Sequence, residues 1–188
     1  MLGVDEAGRG PLAGPVSVGV VCVPEDFDVA KEFPGVKDSK LLSEKRRERI
    51  FEMLEERVAR GDVRYRVCFE DAGRIDREGI SVAVNDAVAK GVHALQPDAR
   101  AARVWLDGSL KAPSAYDQET IIDGDNLIPI ISLASVAAKV LRDRLMVLLA
   151  AHYPVYGFEK NKGYGTKAHY EMLKRHGLCA IHRRSFIH

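Results

Sequence analysis

The sequence has little of what marks secreted, membrane or zinc-bound proteins. Its three cysteines, Cys22, Cys68 and Cys179, are scattered and show no C-x-x-C spacing. That excludes a disulfide framework and a cysteine zinc site, and fits a reducing compartment. No apolar run approaches the roughly 18 residues of a membrane span, and MLGVDEAGRG has no signal-peptide core. A cytoplasmic protein is expected. The six histidines form no H-E-x-x-H pair, and neither a Walker A loop nor a Rossmann fingerprint occurs. Internal repeats, low-complexity tracts and Pro/Gly/Ser linkers are also missing. What remains is 188 residues and 20.8 kDa at 46% hydrophobic and 29% charged composition, an ordinary globular chain. One domain over 1–188 is expected, large enough to fold without a metal or disulfide staple.

Net charge is only +1, which by itself points to no polyanionic partner. Its distribution is uneven. Residues 139–188 carry ten Lys/Arg against three acids, a balance of +7 that leaves −6 for residues 1–138. An acidic body with a basic C-terminal quarter can hold cations at one place and phosphates at another. A solvated lysine-rich tail is the plainer alternative.

Leu2 to Glu6 reads as a short strand, followed by a glycine-rich turn over Ala7 to Pro15. Val16 to Val23 is continuously apolar and β-branched, the pattern of a buried central strand. A helix begins after Ser43, carries Ile50, Leu54 and Val58 on one face, and stops at Gly61. Val63 to Phe69, Arg103 to Leu106 and Glu119 to Ile122 read as further strands. Asp76 is expected to cap a helix burying Ile80, Val84, Ala87, Val88 and Leu95. Ser132 to Ala151 is the clearest helix. Its stripe is Leu133, Val136, Ala137, Val140, Leu141, Leu145 and Leu148, with Lys139, Arg142 and Asp143 turned away. A last helix runs from Thr166 to His176, closed by Gly177. Strands and helices in this order predict an α/β domain with helices on a central sheet.

The densest chemical signal is Gly3-Val4-Asp5-Glu6-Ala7-Gly8-Arg9-Gly10-Pro11. Consecutive strand residues point to opposite faces, so both acids meet one ion only where the strand ends or bends. The flanking glycines allow this, and they let backbone N–H groups approach a ligand while Arg9 supplies charge. A turn with a solvated acid pair is the plain alternative.

Six motifs in order carry a family resemblance. They are DEAGRGPLAGPV, Asp38-Ser39-Lys40, Leu106-Asp107-Gly108, Gly124-Asp125, the SLASVAAKVLRD segment from Ser132 to Asp143, and Lys162-Gly163-Tyr164-Gly165-Thr166-Lys167. Together with HRRSF they span nearly the whole chain, and they closely resemble the type 2 ribonucleases H, specifically ribonuclease HII. The relatives with a glycine-lysine-glycine element fit less well, because residue 9 is Arg.

The resemblance implies a ribonuclease H-like fold, a central mixed sheet flanked by helices with a helical C-terminal part. It implies an endonuclease that cuts the RNA strand of RNA–DNA hybrids, and duplex DNA on the 5′ side of an embedded ribonucleotide. The ends would be 3′-hydroxyl and 5′-phosphate, and the setting ribonucleotide and RNA primer removal. Asp5, Glu6, Asp107 and Asp125 match the carboxylates that bind two divalent cations, Mg²⁺ or Mn²⁺. Gly8, Arg9 and Gly10 match the element that reads the 2′-hydroxyl, and Tyr164 the ring that packs on the neighbouring deoxyribose. Ser39, Lys40 and Lys167 match substrate contacts, although Leu41 stands where many relatives have a second lysine. A monomer is expected.

Physical chemistry supports the metal reading separately. At about 4 Å and an effective dielectric near 20, two like charges repel by roughly 4 kcal/mol. Convergent carboxylates therefore take up protons or a cation, and all-oxygen ligation favours Mg²⁺ or Mn²⁺ over zinc. Two residues compete for the fourth place. Asp125 is preferred to Asp123 because it follows Gly124 directly, ahead of the apolar run. Asp143, flanked by Arg142 and Arg144, reads as an ion-pair partner. His169 and His176 could share a helix face by coincidence, and His182 is a candidate for holding the C-terminal segment near substrate. Trp105 and the cysteines read as core or near-core. A non-catalytic nucleic-acid binder has no use for acids facing phosphates, and a DNA nuclease has none for the GRG and Tyr164 elements.

Overall fold

The structure is a computed structural model that describes residues 1–36 and 42–187, so Ser39 and Lys40 lie outside the described residues. Within these, five strands form one mixed sheet: β1 (Leu2–Ala7), β2 (Val16–Cys22), β3 (Arg64–Glu70), β4 (Arg103–Asp107) and β5 (Asp117–Ile121). Their order is β3-β2-β1-β4-β5, and the helices between and after them include the single turns α1 (Val29–Glu32) and α7 (Phe158–Asn161). β1, β2 and β3 are antiparallel neighbours, whereas β1, β4 and β5 run parallel. β2 lies inside the sheet, between β3 and β1, and all seven of its residues are buried, as its apolar run predicts.

Alternation on the strands builds a core on each face. On one side Leu2, Val4, Val18, Val20 and Leu106 pack against Val84 and Val88 of α4 (Ile80–Leu95). On the other, Val21 packs with Ile50 and Leu54 of α2 (Glu44–Arg60) and Leu133, Val136 and Ala137 of α6 (Pro129–His152). Ser43 caps α2 and Gly61 closes it in the left-handed region, as the sequence predicts. No helix among the described residues is long and apolar enough to cross a membrane.

Two glycines bring α6 down onto the sheet. A Cβ on Gly3 would stand 2.4 Å from the Ile130 carbonyl oxygen, and one on Gly19 2.3 Å from that of Ala134. Backbone cannot yield as a flexible side chain can, so any side chain here lifts the helix. Gly19→Val should cost about 1–3 kcal/mol through this overpacking, read by urea denaturation. A variant as stable as the parent would show that α6 is not seated by this contact.

Three expectations are corrected. Asp76 caps no long helix. It lies inside α3 (Ala72–Glu78), which Asp71 caps, and Gly79 at φ 85° separates α3 from α4. Asp76 instead accepts hydrogen bonds from the backbone N–H groups of Arg184 and Ser185 at 2.9 and 3.0 Å. Nor are Arg142 and Asp143 turned away, since both are buried, while Leu148 is exposed. The reason lies in what α6 meets. Its last turns run past the sheet onto the 12–15 turn, where Ala13, Met146, Ala150, Tyr156 and Phe158 form a third cluster. Carbonyls of that turn need donors, which a leucine cannot supply. Finally, α6 starts at Pro129 rather than Ser132, with proline in its usual first-turn place.

Candidate active site

The parallel pairing of β1 with β4 sets Gly3 opposite Trp105 and Val4 opposite Leu106. One further step places Asp5 beside Asp107 at the carboxyl ends of both strands. Gly3 faces Ile130 of α6, and Asp5, two residues on, shares that face. Glu6 points the other way, but β1 ends at Ala7, so both acids reach the rim. Asp125 arrives on α5 (Gly124–Leu127), where its N–H donates to Asp107 Oδ1 at 3.2 Å. The Ser132 hydroxyl ties α5 to α6 by donating to the carbonyls of Asp125 and Ile128 at 2.5 and 3.1 Å.

A cleft of about 320 Å³ is lined by Asp5, Glu6, Asp107 and Asp125 together. Asp123 is exposed and outside the lining, at the left-handed turn (φ 55°) that opens α5. Asp143 pairs with Lys139 at 2.9 Å rather than with either flanking arginine. Among the described residues, no three His, Cys, Asp or Glu side chains converge into a ready cation cage. The four acids share a cleft without forming such a cage.

The electrostatics are those of crowded acids. Burial holds the Asp5 carboxyl well above the usual carboxylate range, and the charges of Glu6 and Asp107 push the same way. Hydrogen bonds from Ser135 and from the Glu6 N–H, at 2.7 Å, oppose this in part. Glu6 is also raised, mainly by burial and further by Asp107, against the pull of Arg9 at 3.2 Å. Both groups resist ionisation in place, and a cation among them would remove that cost.

Beside the acids lies the glycine-arginine-glycine turn. Gly8 has φ 84°, and a Cβ there would meet Arg142 Nε at 1.9 Å. Arg9 reaches Glu6 and, at 3.5 Å, the Ser81 hydroxyl, while Gly10 is open to solvent. Tyr164 lines the same cleft with its ring exposed, 5.5 Å from Lys139 Nζ and 5.8 Å from Arg142 Cζ. Lys167 opens α8 (Lys167–His176), exposed and outside the lining.

Sequence reasoning missed three residues of the lining: Arg47, Ser135 and Lys139. Ser135 and Lys139 stand four apart on α6, one turn of the same face, and that spacing was a usable signal. Nothing separates Arg47 from the neighbouring Lys45, Arg46 and Arg49.

A β3-β2-β1-β4-β5 sheet with acids at the ends of β1 and β4 defines a ribonuclease H-type nuclease, a phosphodiester hydrolase. The family model for Ribonuclease HII matches residues 2–188. A curated ribonuclease HII from Endomicrobium trichonymphae is 46% identical over 187 residues, 98% of this chain and 83% of that protein. Among solved structures, the PCNA:RNase HII complex from Archaeoglobus fulgidus aligns with TM-score 0.78 at 25% identity, covering 98% of this chain and 92% of that one. Ribonuclease H2 from Pyrococcus horikoshii aligns at 0.67 and 28% identity, with the same coverages. The chain belongs to the ribonuclease HII family.

Proposed function

We propose that this protein is an endonuclease that cuts the RNA strand of RNA–DNA hybrids and cuts duplex DNA 5′ of an embedded ribonucleotide. The products are 3′-hydroxyl and 5′-phosphate ends. One observation carries this reading: four acids from three distant segments line one cleft next to the glycine-arginine-glycine turn and Tyr164. The donor set is all oxygen, and two of its members are held above their ordinary pKa, which fits Mg²⁺ or Mn²⁺. When bound, two such ions would supply activation of a water and stabilisation of the leaving 3′-oxygen.

The chain's own residues do the rest. Asp5, Glu6, Asp107 and Asp125 hold the ions. Arg47 and Lys139 line the same cleft and offer charge to phosphates flanking the scissile one. Gly8, Arg9 and Gly10 read the 2′-hydroxyl, the group that separates RNA from DNA. The Tyr164 ring packs on the adjoining deoxyribose. Ser39, Lys40 and Lys167 contact the strand beyond. The protein works as a monomer in the cytoplasm, in ribonucleotide and primer removal.

The test is a DNA duplex bearing one ribonucleotide, incubated with Mg²⁺, with Mn²⁺ and with chelator. A single metal-dependent cut 5′ of the ribonucleotide is expected. No cut, or cuts throughout the DNA, would overturn the reading.

A further inference from the structure

The side chains of two adjacent residues outside the cleft reach both elements proposed to read the sugar step. Arg183 is fully buried and donates to three carbonyls of one turn: Nε to Gly14 at 2.9 Å, and its terminal nitrogens to Arg9 at 2.9 Å and Gly8 at 2.7 Å. Its own N–H donates to the Leu12 carbonyl at 2.8 Å. In a planar trans peptide the N–H opposes the C=O. With the Gly8 and Arg9 carbonyls turned toward Arg183, the N–H groups of Arg9 and Gly10 point away from it.

His182 reaches the other element. His169 Nδ1 lies 2.9 Å from the Tyr164 carbonyl, which only accepts, so Nδ1 carries the proton. A neutral His169 therefore accepts at Nε2, and His182 Nε2 donates to it at 3.0 Å. His182 Nδ1 is then the acceptor that the Cys179 N–H requires at 2.9 Å. The three bonds fix one consistent tautomer for each ring. Both rings are buried, and burial keeps His182 neutral, pushed down to about 4. Tyr164 is thus tied through His169 to the same dipeptide that holds the turn.

We propose that His182 and Arg183 are positioning residues, a two-armed clamp that sets the distance between the Gly8–Gly10 turn and Tyr164 and so fixes selectivity for the RNA-to-DNA step. The inference rests on the proposed function. Neither residue touches the substrate. Two contact points on adjoining sugars discriminate only while their separation is held, and misplacement by about 1 Å can cost roughly a hundredfold.

The experiment compares kcat/KM on a single-ribonucleotide duplex with that on a long RNA–DNA hybrid. Arg183→Lys keeps the charge but has one nitrogen where the guanidinium fork has three, so it cannot span the carbonyls of Gly8, Arg9 and Gly14. Its single-ribonucleotide to hybrid ratio should fall by roughly tenfold or more. Calorimetric Mn²⁺ binding, which reports on the acids alone, should not change. His182→Gln keeps a donor for His169 and should hold the ratio, while His182→Leu should lose it. These two variants carry the test even if Arg183→Lys does not fold. Equal losses on both substrates, or an unchanged ratio in Arg183→Lys and His182→Leu, would overturn the clamp. Failure of the unaltered protein to cut the ribonucleotide duplex would instead overturn the proposed function.

Discussion

Asp107→Asn should lower cleavage by more than roughly a thousandfold, as expected when a group that organises the reacting charges is lost. The folded protein should be no less stable than the parent. Both outcomes come from one change. The asparagine amide oxygen still accepts the Asp125 N–H, now 3.2 Å from Asp107 Oδ1, so α5 keeps its tie to β4. The negative charge that pushes up both Asp5 and Glu6 is gone. Less repulsion means a fold at least as stable; fewer anionic ligands mean weaker ion binding. Urea denaturation and Mn²⁺ titration calorimetry separate the two effects. Near-normal cleavage by purified Asp107→Asn would remove this residue from the ligand set.

The same acids give a pH dependence of definite sign. Burial raises Asp5 well above its ordinary value in the fold and raises Glu6 above its own. Their contribution to stability is fully present below the ordinary value near 4 and is lost as pH rises through the raised values. Without added metal, the protein should therefore gain stability from these two groups on acidification from neutral. Mn²⁺ affinity should fall over the same window, because protons compete for the same oxygens. Mn²⁺ affinity that did not fall until the ordinary carboxylate value near 4 was reached would contradict the upward shifts.

Local features were legible in the sequence because local rules make them. Ser43, Gly61 and Thr166 terminate helices as their side chains and backbone preferences require. The Asp5–Gly10 motif stood out because its acids and glycines adjoin. Asp107 and Asp125 could be matched by motif, but their placement beside Asp5 depends on the β1–β4 register and on the Ser132 tie. Neither leaves a trace in spacing. The misreadings of Arg142 and His182 share one physical cause. Arg142 and Asp143 looked solvent-facing because charge on a helix usually is, yet Arg142 is buried among carbonyls more than a hundred residues away in sequence. His182 was read as no more than a candidate anchor, since its pairing with His169 is a tertiary contact. A buried cation satisfied by backbone oxygens cannot be told from a surface one until the chain has closed around it.

That arrangement sets the largest expected effect on stability. Arg142 is fully buried, with Nε donating to the Pro15 carbonyl at 2.9 Å and its terminal nitrogens to those of Lys162 at 3.0 Å and Ala13 at 3.3 Å. It joins α6 to the 12–15 turn and to the loop that carries Tyr164. Burial disfavours its charged form and pulls the guanidinium below its ordinary pKa, so the fold bears a desolvation cost to keep it. The cost is tolerable because three carbonyls would otherwise be left without these donors. Arg142→Met conserves much of the volume and removes every donor. It should destabilise by about 3–5 kcal/mol, from roughly 1–3 kcal/mol for each of the three buried carbonyls left without a donor, less the desolvation cost the guanidinium no longer bears. For a chain of this size that lowers the melting temperature by roughly 10 °C. Arg142→Lys, with one ammonium for three acceptors, should fall between. The loss should reach function too, since the turn and the Tyr164 loop lose their common donor. If Arg142→Met melted within about a degree of the parent, the three carbonyls would have to find other donors, and Arg142 would not be what joins these loops to the sheet.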